Sequence, residues 1–296
     1  PSHSIATVVG FSPGGGTDTV ARIIAKTLSE NLGQQVVVDN KSGAGGTIAV
    51  DYVAKAAPDG YTLVLANVGA LAANPHIMKL QYDPLTDLTP ITMATVFANV
   101  IAVQPGLGVK TLADYVKLAR EKPGRITYAS SGVGGAAHLA GELLAMMAKI
   151  KLVHVPYKGG GPAMRGFLGN EVDSFIATPV SVHKQVEAGR ALAIATTGPK
   201  RAALMPDVPT VAESGYPGYE ALNWYAYFGP KGMPKDLVDR LNRELIKVLK
   251  DPAAIGLLAK QGVEPQPSTP AELDRYVKSE YKTWGRVIKE AGIKAQ

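Results

Sequence analysis

Thr7–Leu28, TVVGFSPGGGTDTVARIIAKTL, decides the fold: a short apolar run, a glycine-rich turn, then Val20, Ile23, Ile24, Thr27 and Leu28 at helical spacing. Ile126–Met147, ITYASSGVGGAAHLAGELLAMM, repeats the device. Laid over each other at a constant offset of 119 residues, Ser12 meets Ser131, Gly15 meets Gly134, Gly16 meets Gly135 and Ala21 meets Ala140. A strand that turns through glycines into a helix leaves backbone N–H groups unpaired at the helix start, where the helix dipole adds partial positive charge. Each segment therefore reads as an anion socket. Two sockets suggest one small anionic molecule held at both ends.

Outward from these segments, strand, turn and helix signals alternate, which argues an α/β protein with mostly parallel sheet. Gln35–Asp39 leads through Lys41–Gly46 (KSGAGG) into a helix to Ala57, and Tyr61–Ala66 is a further strand ending at Asn67-Val68-Gly69. Ile91–Val103 holds two apolar runs joined by Phe97-Ala98-Asn99, and Thr111 with Asp114 has the spacing of a helix N-cap pair. Leu152–Val155 meets the turn Pro156–Pro162 (PYKGGGP); Val172–Ala177, a helix from Pro179 to Ala188 and Ala191–Ala195 follow. Asn223–Phe228 (NWYAYF) is an aromatic strand that carries the chain back. Beyond it the pattern is helical over Pro234–Lys250, Pro252–Gln261 and Pro270–Ala291, the last with a Thr269/Glu272 capping box. This tail, with no strands of its own, is expected to pack on one of the two sheets. Residues 1–100 with 225–296 then form one lobe and residues 101–224 the other. Two crossings make a hinge that permits closure around a ligand.

A chain of 296 residues suits two such units. No apolar run approaches the roughly 18 residues of a membrane span. The absence of cysteine excludes disulfides, thiolate nucleophiles and cysteine-ligated metal. The net charge of +6 is spread through amphipathic helices such as Asp236–Lys250 without basic–aromatic interleaving, so no nucleic-acid partner is expected and the excess mildly favours anionic ligands. The chain begins Pro1-Ser2-His3-Ser4, which fits either a trimmed cytosolic chain or one whose export signal has been removed.

Catalysis lacks candidates. The five histidines, His3, His76, His138, His154 and His183, show no metal-ligand spacing, and neither Ser130 nor Ser131 lies in a G-x-S-x-G elbow. The glycine loops match neither the P-loop nor G-x-G-x-x-G. No catalytic residue, metal or cofactor is assigned. The alternative from another class is an α/β enzyme acting on a phosphorylated metabolite through the same loops.

In the first loop, Ser12, Gly15, Gly16 and Thr17 supply close backbone N–H groups and hydroxyls. Asp18, one turn before Arg22, is read as a helix cap and i,i+4 ion-pair partner, with receipt of a ligand ammonium group as the other option. In the second loop, Ser130, Ser131 and Gly134 offer hydroxyls and amides, and His138 in the first helical turn is placed to donate to a carboxylate, with simple packing as the other option. Lys158, ahead of three glycines, is the best-placed cation for a second charge. Trp224 fits either a core position or a cleft wall.

These residues carry a family resemblance. Gly14–Asp18 with Ala21-Arg22, Asn40–Gly46 (NKSGAGG), Pro58–Leu63 (PDGYTL), Ser130-Ser131-Gly132 with His138–Glu142, and Val155–Gly159 (VPYKG) resemble the Bug-type substrate-binding proteins of tripartite tricarboxylate transporters, from Ile5 to about Gly292. The resemblance implies a type II periplasmic binding protein of two α/β lobes that captures small carboxylates in the periplasm and delivers them to a membrane permease, and it is read here as a monomer without cofactor. It also implies ligand contacts at Ser12, Gly15, Gly16, Thr17 and Asn67 in one lobe and at Ser130, Ser131, Gly134, His138 and Gly160 in the other. Many relatives carry Asp-Asn where this chain has Ala177-Thr178, so Thr178 takes that place without a carboxylate to meet an ammonium group. A plain dicarboxylate of about four to eight carbons is the expected ligand, ahead of an amino acid.

Overall fold

The computed structural model describes residues 3–294. In chain order the elements are β1 (Ile5–Val9), α1 (Gly16–Leu32), β2 (Val36–Asn40), α2 (Thr47–Ala54), β3 (Thr62–Asn67), α3 (Asn74–Ile77), β4 (Leu88–Ala98) and β5 (Val100–Val103). Next come α4 (Leu112–Glu121), β6 (Ile126–Ser130), α5 (Ala136–Ala148), β7 (Leu152–Pro156), α6 (Gly160–Leu168), β8 (Ser174–Ala177), α7 (Pro179–Glu187) and β9 (Leu192–Thr196). The chain finishes with β10 (Leu222–Pro230), α8 (Lys235–Leu249), α9 (Pro252–Lys260), β11 (Glu264–Pro265) and α10 (Pro270–Ala291). Two compact units result, one of residues 3–96 and 224–294 and one of Phe97–Asn223, with the chain passing between them twice.

Each unit is a sheet flanked by helices. The first holds six strands in the order β11-β4-β10-β3-β1-β2, the second five in the order β7-β6-β8-β5-β9. Within both lies the same β-α-β-α-β segment with its first strand in the middle: β1 runs parallel to β2 and β3, and β6 parallel to β7 and β8. The sheets are mixed rather than mostly parallel, because β10 runs antiparallel to β3 and β5 antiparallel to both β8 and β9. These strands are far from their partners in the chain and are not joined to them by a single β-α-β crossover, so nothing forces them parallel.

Sequence chemistry accounts for the element ends. In α1, Val20, Ala21, Ile24, Ala25 and Leu28 are buried on one face, and Gly33 stops the helix at φ 59°, a left-handed position where glycine carries no Cβ penalty. Capping boxes at Thr111/Asp114 and Thr269/Glu272 open α4 and α10. α2 closes at Ala54 rather than Ala57, and the two apolar runs of Ile91–Val103 become β4 and β5, broken at Asn99 alone. The tail does contain a strand, the two-residue β11, which pairs with β4. Its helices α8 and α9 pack against α1. Trp224 is a core residue: it is fully buried, and its Nε1 donates to Glu280 Oε2 on α10 at 3.0 Å. In the second unit Val100, Ala129, Phe167, Val172 and Phe175 share one apolar cluster.

Candidate functional site

In both units the residues singled out by sequence gather at the carboxyl ends of three adjacent parallel strands, the edge at which open α/β sheets present crevices to ligands.

In the first loop Gly14 lies at φ 84°, and its N–H donates to Asp18 Oδ2 at 2.9 Å. The Gly15 N–H is taken by the Ser12 carbonyl at 3.3 Å, and Gly15 is the N-cap of α1. With those two amides used, the first-turn amides of Gly16 and Thr17 take no acceptor among the described residues. Ser12 and Gly16 are exposed, while Thr17 is buried. Asp18 is only 2% exposed, and its remaining bonds are internal: Arg22 Nε at 2.9 Å on Oδ2 and Asn40 Nδ2 at 2.9 Å on Oδ1. Burial alone would raise the carboxyl pKa, but hydrogen bonds from Arg22, Gly14 and Asn40 hold it below the ordinary carboxylate value. Asn40 Nδ2 donates its second hydrogen to the Phe11 carbonyl at 2.9 Å, tying the loop to the end of β2.

Asn67 ends β3 and is buried, its Oδ1 accepting from the Ala70 N–H at 3.4 Å. A Cβ on Gly46 would lie 2.8 Å from that Oδ1, and one on Gly10 would lie 2.4 Å from Gly46 Cα, so the three loop ends meet only because these positions lack side chains. Tyr225 pairs in register with Asn67. Its hydroxyl, hydrogen-bonded to the Thr17 side chain and pushed up to about 12 by burial, lies 3.6 Å from where a Gly16 Cβ would sit.

In the second loop Gly134 lies at φ 74°, and its N–H donates to His138 Nδ1 at 3.0 Å. The Gly135 N–H goes to the Gly132 carbonyl at 3.4 Å, and Gly135 is the N-cap of α5. The amides of Ala136 and Ala137 take no acceptor among the described residues. The two turns therefore correspond at an offset of 120 rather than 119: Gly14 with Gly134, Gly15 with Gly135, Asp18 with His138, Arg22 with Glu142. Matching identical letters places the frame one residue out, because the backbone is set by the left-handed glycine and its acceptor. The strands before the turns correspond at 121, since the Val9 carbonyl takes the Lys41 N–H as the Ser130 carbonyl takes the Tyr157 N–H. The first loop is thus one residue longer.

His138 is 5% exposed and stacks on His154 with ring centroids 3.7 Å apart and planes 7° from parallel. Burial pulls His138 down to about 4; burial, and then His138 itself, pull His154 down to about 3. A backbone N–H can only donate, so His138 Nδ1 is unprotonated and the neutral ring carries its proton on Nε2, 3.9 Å from Glu142 Oε1. Burial raises the Glu142 carboxyl above its ordinary value although the Tyr128 hydroxyl donates to it at 2.6 Å.

Ser130 is fully buried, its hydroxyl 2.6 Å from His154 Nε2 and bonded to both the N–H and the carbonyl of Gly132. Ser130, Gly134 and His138 thus spend their polar atoms on one another's loop. Ser131, Lys158 and Gly160 are exposed, and the Ser131 carbonyl takes the Gly159 N–H at 3.1 Å. Thr178 is the N-cap of α7, with its hydroxyl 2.9 Å from Ser181 Oγ. Among the described residues no three His, Cys, Asp or Glu side chains are grouped to hold a metal ion.

The sequence pattern gave no signal for Asn40 or His154 as parts of these loops. Asn40 reads only as an asparagine ending a strand, and the His138–His154 stack joins residues from separate elements and leaves no local trace.

A model of the tripartite tricarboxylate transporter family receptor matches residues 20–293 of this chain. Three solved structures share its fold at clear sequence similarity. The structure of an R. palustris protein with adipate has a TM-score of 0.93 at 36% identity, covering 99% of each chain. The periplasmic binding protein BugD gives 0.91 at 35% over the whole of both chains. MatC from Rhodopseudomonas palustris with bound malate gives 0.89 at 31%, over 97% of this chain and 99% of that one.

Proposed function

The chain belongs to the tripartite tricarboxylate transporter receptor family, and from that premise we propose that it captures a dicarboxylate of about four to eight carbons in the periplasm for delivery to the family's membrane permease. It is a binding receptor and not an enzyme. The observation that carries the ligand class is the pair of matched helix starts: once the internal acceptors are served, each loop keeps three first-turn amides with no acceptor among the described residues, those of Gly16, Thr17 and Asp18 and those of Ala136, Ala137 and His138. In this reading each loop takes one carboxylate, with Ser12, Ser131, Lys158, Gly160 and Thr178 as polar neighbours and Asn67 supporting the first loop. Solved relatives with adipate and malate bound support dicarboxylates of this size.

The magnitudes are adequate. A hydrogen bond to a charged group contributes roughly 1.5–3 kcal/mol, and a partly buried helix end up to about 2 kcal/mol. Two amides on each carboxylate can therefore offset association costs and leave the ~8 kcal/mol of a micromolar complex. Asp18, whose oxygens are engaged by Gly14, Arg22 and Asn40, leaves no free carboxylate there for an ammonium group.

A thermal-shift series over C4 to C8 dicarboxylates, the matching monocarboxylates, acidic amino acids and phosphate esters tests this reading. A ligand at ~1,000 times its Kd stabilises by about 4 kcal/mol, a shift of several degrees. A dicarboxylate is expected to give the largest shift. Shifts from phosphate esters or amino acids alone would overturn the assignment.

A further inference from the structure

In both loops the residue four positions after the left-handed glycine takes that glycine's N–H, Asp18 for Gly14 and His138 for Gly134. The first acceptor is a carboxylate held by Arg22 and Asn40, and the second is a ring nitrogen. The His138 ring has little left for a ligand. Nδ1 is occupied, the stack on His154 covers one face at 3.7 Å, and the residue is 5% exposed, with Nε2 3.9 Å from Glu142 Oε1, beyond hydrogen-bond distance. Its main chain is held as well, since the Tyr128 hydroxyl lies 3.3 Å from the His138 carbonyl oxygen.

We propose that His138 is a positioning residue for the second loop: by capturing the Gly134 N–H it fixes the turn so that the Ala136 and Ala137 amides stand free for an anion, and its ring does not touch that anion. The proposal deepens the reading of this loop as an anion socket and rests on it. The turn needs an acceptor at this position because the Gly134 N–H is buried, and an unpaired buried donor is costly. A neutral imidazole serves without adding a negative charge beside the socket. The same ring nitrogen loses its acceptor role if it gains a proton, so the loop depends on the ring staying neutral. The ionisable groups facing it are Glu142 on its own helix, His154 from β7 and Tyr128 from β6, with Tyr219 bonded to the Ala140 carbonyl one turn along.

Two variants of the full chain separate acceptor from ring. In His138→Asn, Oδ1 replaces Nδ1 on the same Cγ and keeps the acceptor; in His138→Phe the ring and its stack remain and the acceptor is gone. Without ligand, the Gly134 amide is expected to exchange slowly in the wild type and in His138→Asn, and about tenfold or more faster in His138→Phe. Nitrogen shifts of the wild-type ring should report a bare Nδ1 and a protonated Nε2. In calorimetry with adipate, His138→Asn should bind within about threefold of wild type and His138→Phe at least about tenfold more weakly. Equal affinity in wild type and His138→Phe would overturn the proposal, as would equal weakening in both variants, which would put the ring itself on the ligand. Failure of the wild type to bind any dicarboxylate would instead strike the proposed function, while the ligand-free exchange rates would still decide what His138 does.

Discussion

The first loop serves its left-handed glycine with a carboxylate, Asp18, paired to Arg22 one turn on; the second serves it with an uncharged ring, His138, and has Glu142 where the first has Arg22. The backbones nevertheless match, with Gly14 and Gly134 at φ 84° and 74° and N-cap glycines that donate to the residue three before them. The turn therefore demands an acceptor and is indifferent to its charge. What surrounds the acceptor differs accordingly. By strand register His154 stands where the first unit has Val38, Ser130 where it has Val9, and Tyr128 where it has Thr7. One loop is clamped by ions and Asn40; the other rests on a buried neutral polar network.

Loss of the ionic clamp carries the largest expected effect. Asp18→Ala removes a carboxylate that is 2% exposed and with it the acceptor of the Gly14 N–H and of one Asn40 N–H, each bond to a charged group being worth about 1.5–3 kcal/mol. A loss of about 4 kcal/mol in urea unfolding is expected, with weaker carboxylate binding. A loss below about 1 kcal/mol would mean that the acceptor does not hold the turn.

Acid distinguishes the loops next. Free histidine titrates near 6.5, whereas His138 titrates at about 4 and His154 at about 3 in the folded chain. Between these values the unfolded chain binds protons that the folded one excludes. Their contribution is complete above pH 6.5 and is lost as pH falls toward 4 and below. For His138 the difference amounts to about 3 kcal/mol at 1.36 kcal/mol per pH unit. Glu142, whose carboxyl is raised by burial, contributes in the opposite sense and offsets part of this. Asp18, lowered, stays charged through the window, so the first loop is unaffected there. His154→Val, copying Val38, removes one titrating ring and should flatten the fall in urea midpoint between pH 6.5 and 4.5. An unchanged slope would place the acid sensitivity elsewhere.

The repeated device was legible because its parts are local: a short apolar strand, glycines and a helical apolar face each leave a mark within a few residues. Its register was not, since Ser12 and Ser131 match as letters while the first loop carries one more residue between Val9 and Gly14. The more telling signal lay in the spacing of Asp18 with Arg22 and of His138 with Glu142, polar pairs four apart that begin both helices and align at the true offset. Among the candidate residues, Gly16, Thr17, Ser131 and Gly160 stand at helix starts or exposed loop positions, as the glycine pattern implied. The inward roles of Ser130 and His138 depend on His154, which arrives from β7, and no pattern within the loop encodes that contact. Trp224 in the core, against a helix more than fifty residues later, is a similar long-range outcome.

The finest contrast lies at the first helical residue, where the first loop has Gly16 and the second Ala136. If both loops present the same amides to a carboxylate, a methyl group at this position is already tolerated in one of them. Gly16 does not have a left-handed φ, and a Cβ there would make ordinary contact, 3.6 Å from the Tyr225 hydroxyl. Gly16→Ala should therefore keep the melting temperature and change affinity for a dicarboxylate by less than about threefold, a difference of about 0.6 kcal/mol. Gly16→Val, with two further methyl groups close to the Gly16 and Thr17 amides, should weaken binding by about tenfold or more while the fold survives. Calorimetry on the pair reads the distance of the carboxylate from the helix start: a large loss already at alanine would mean that the anion sits closer to Gly16 than to Ala136, and no loss at valine would remove the first loop from the site.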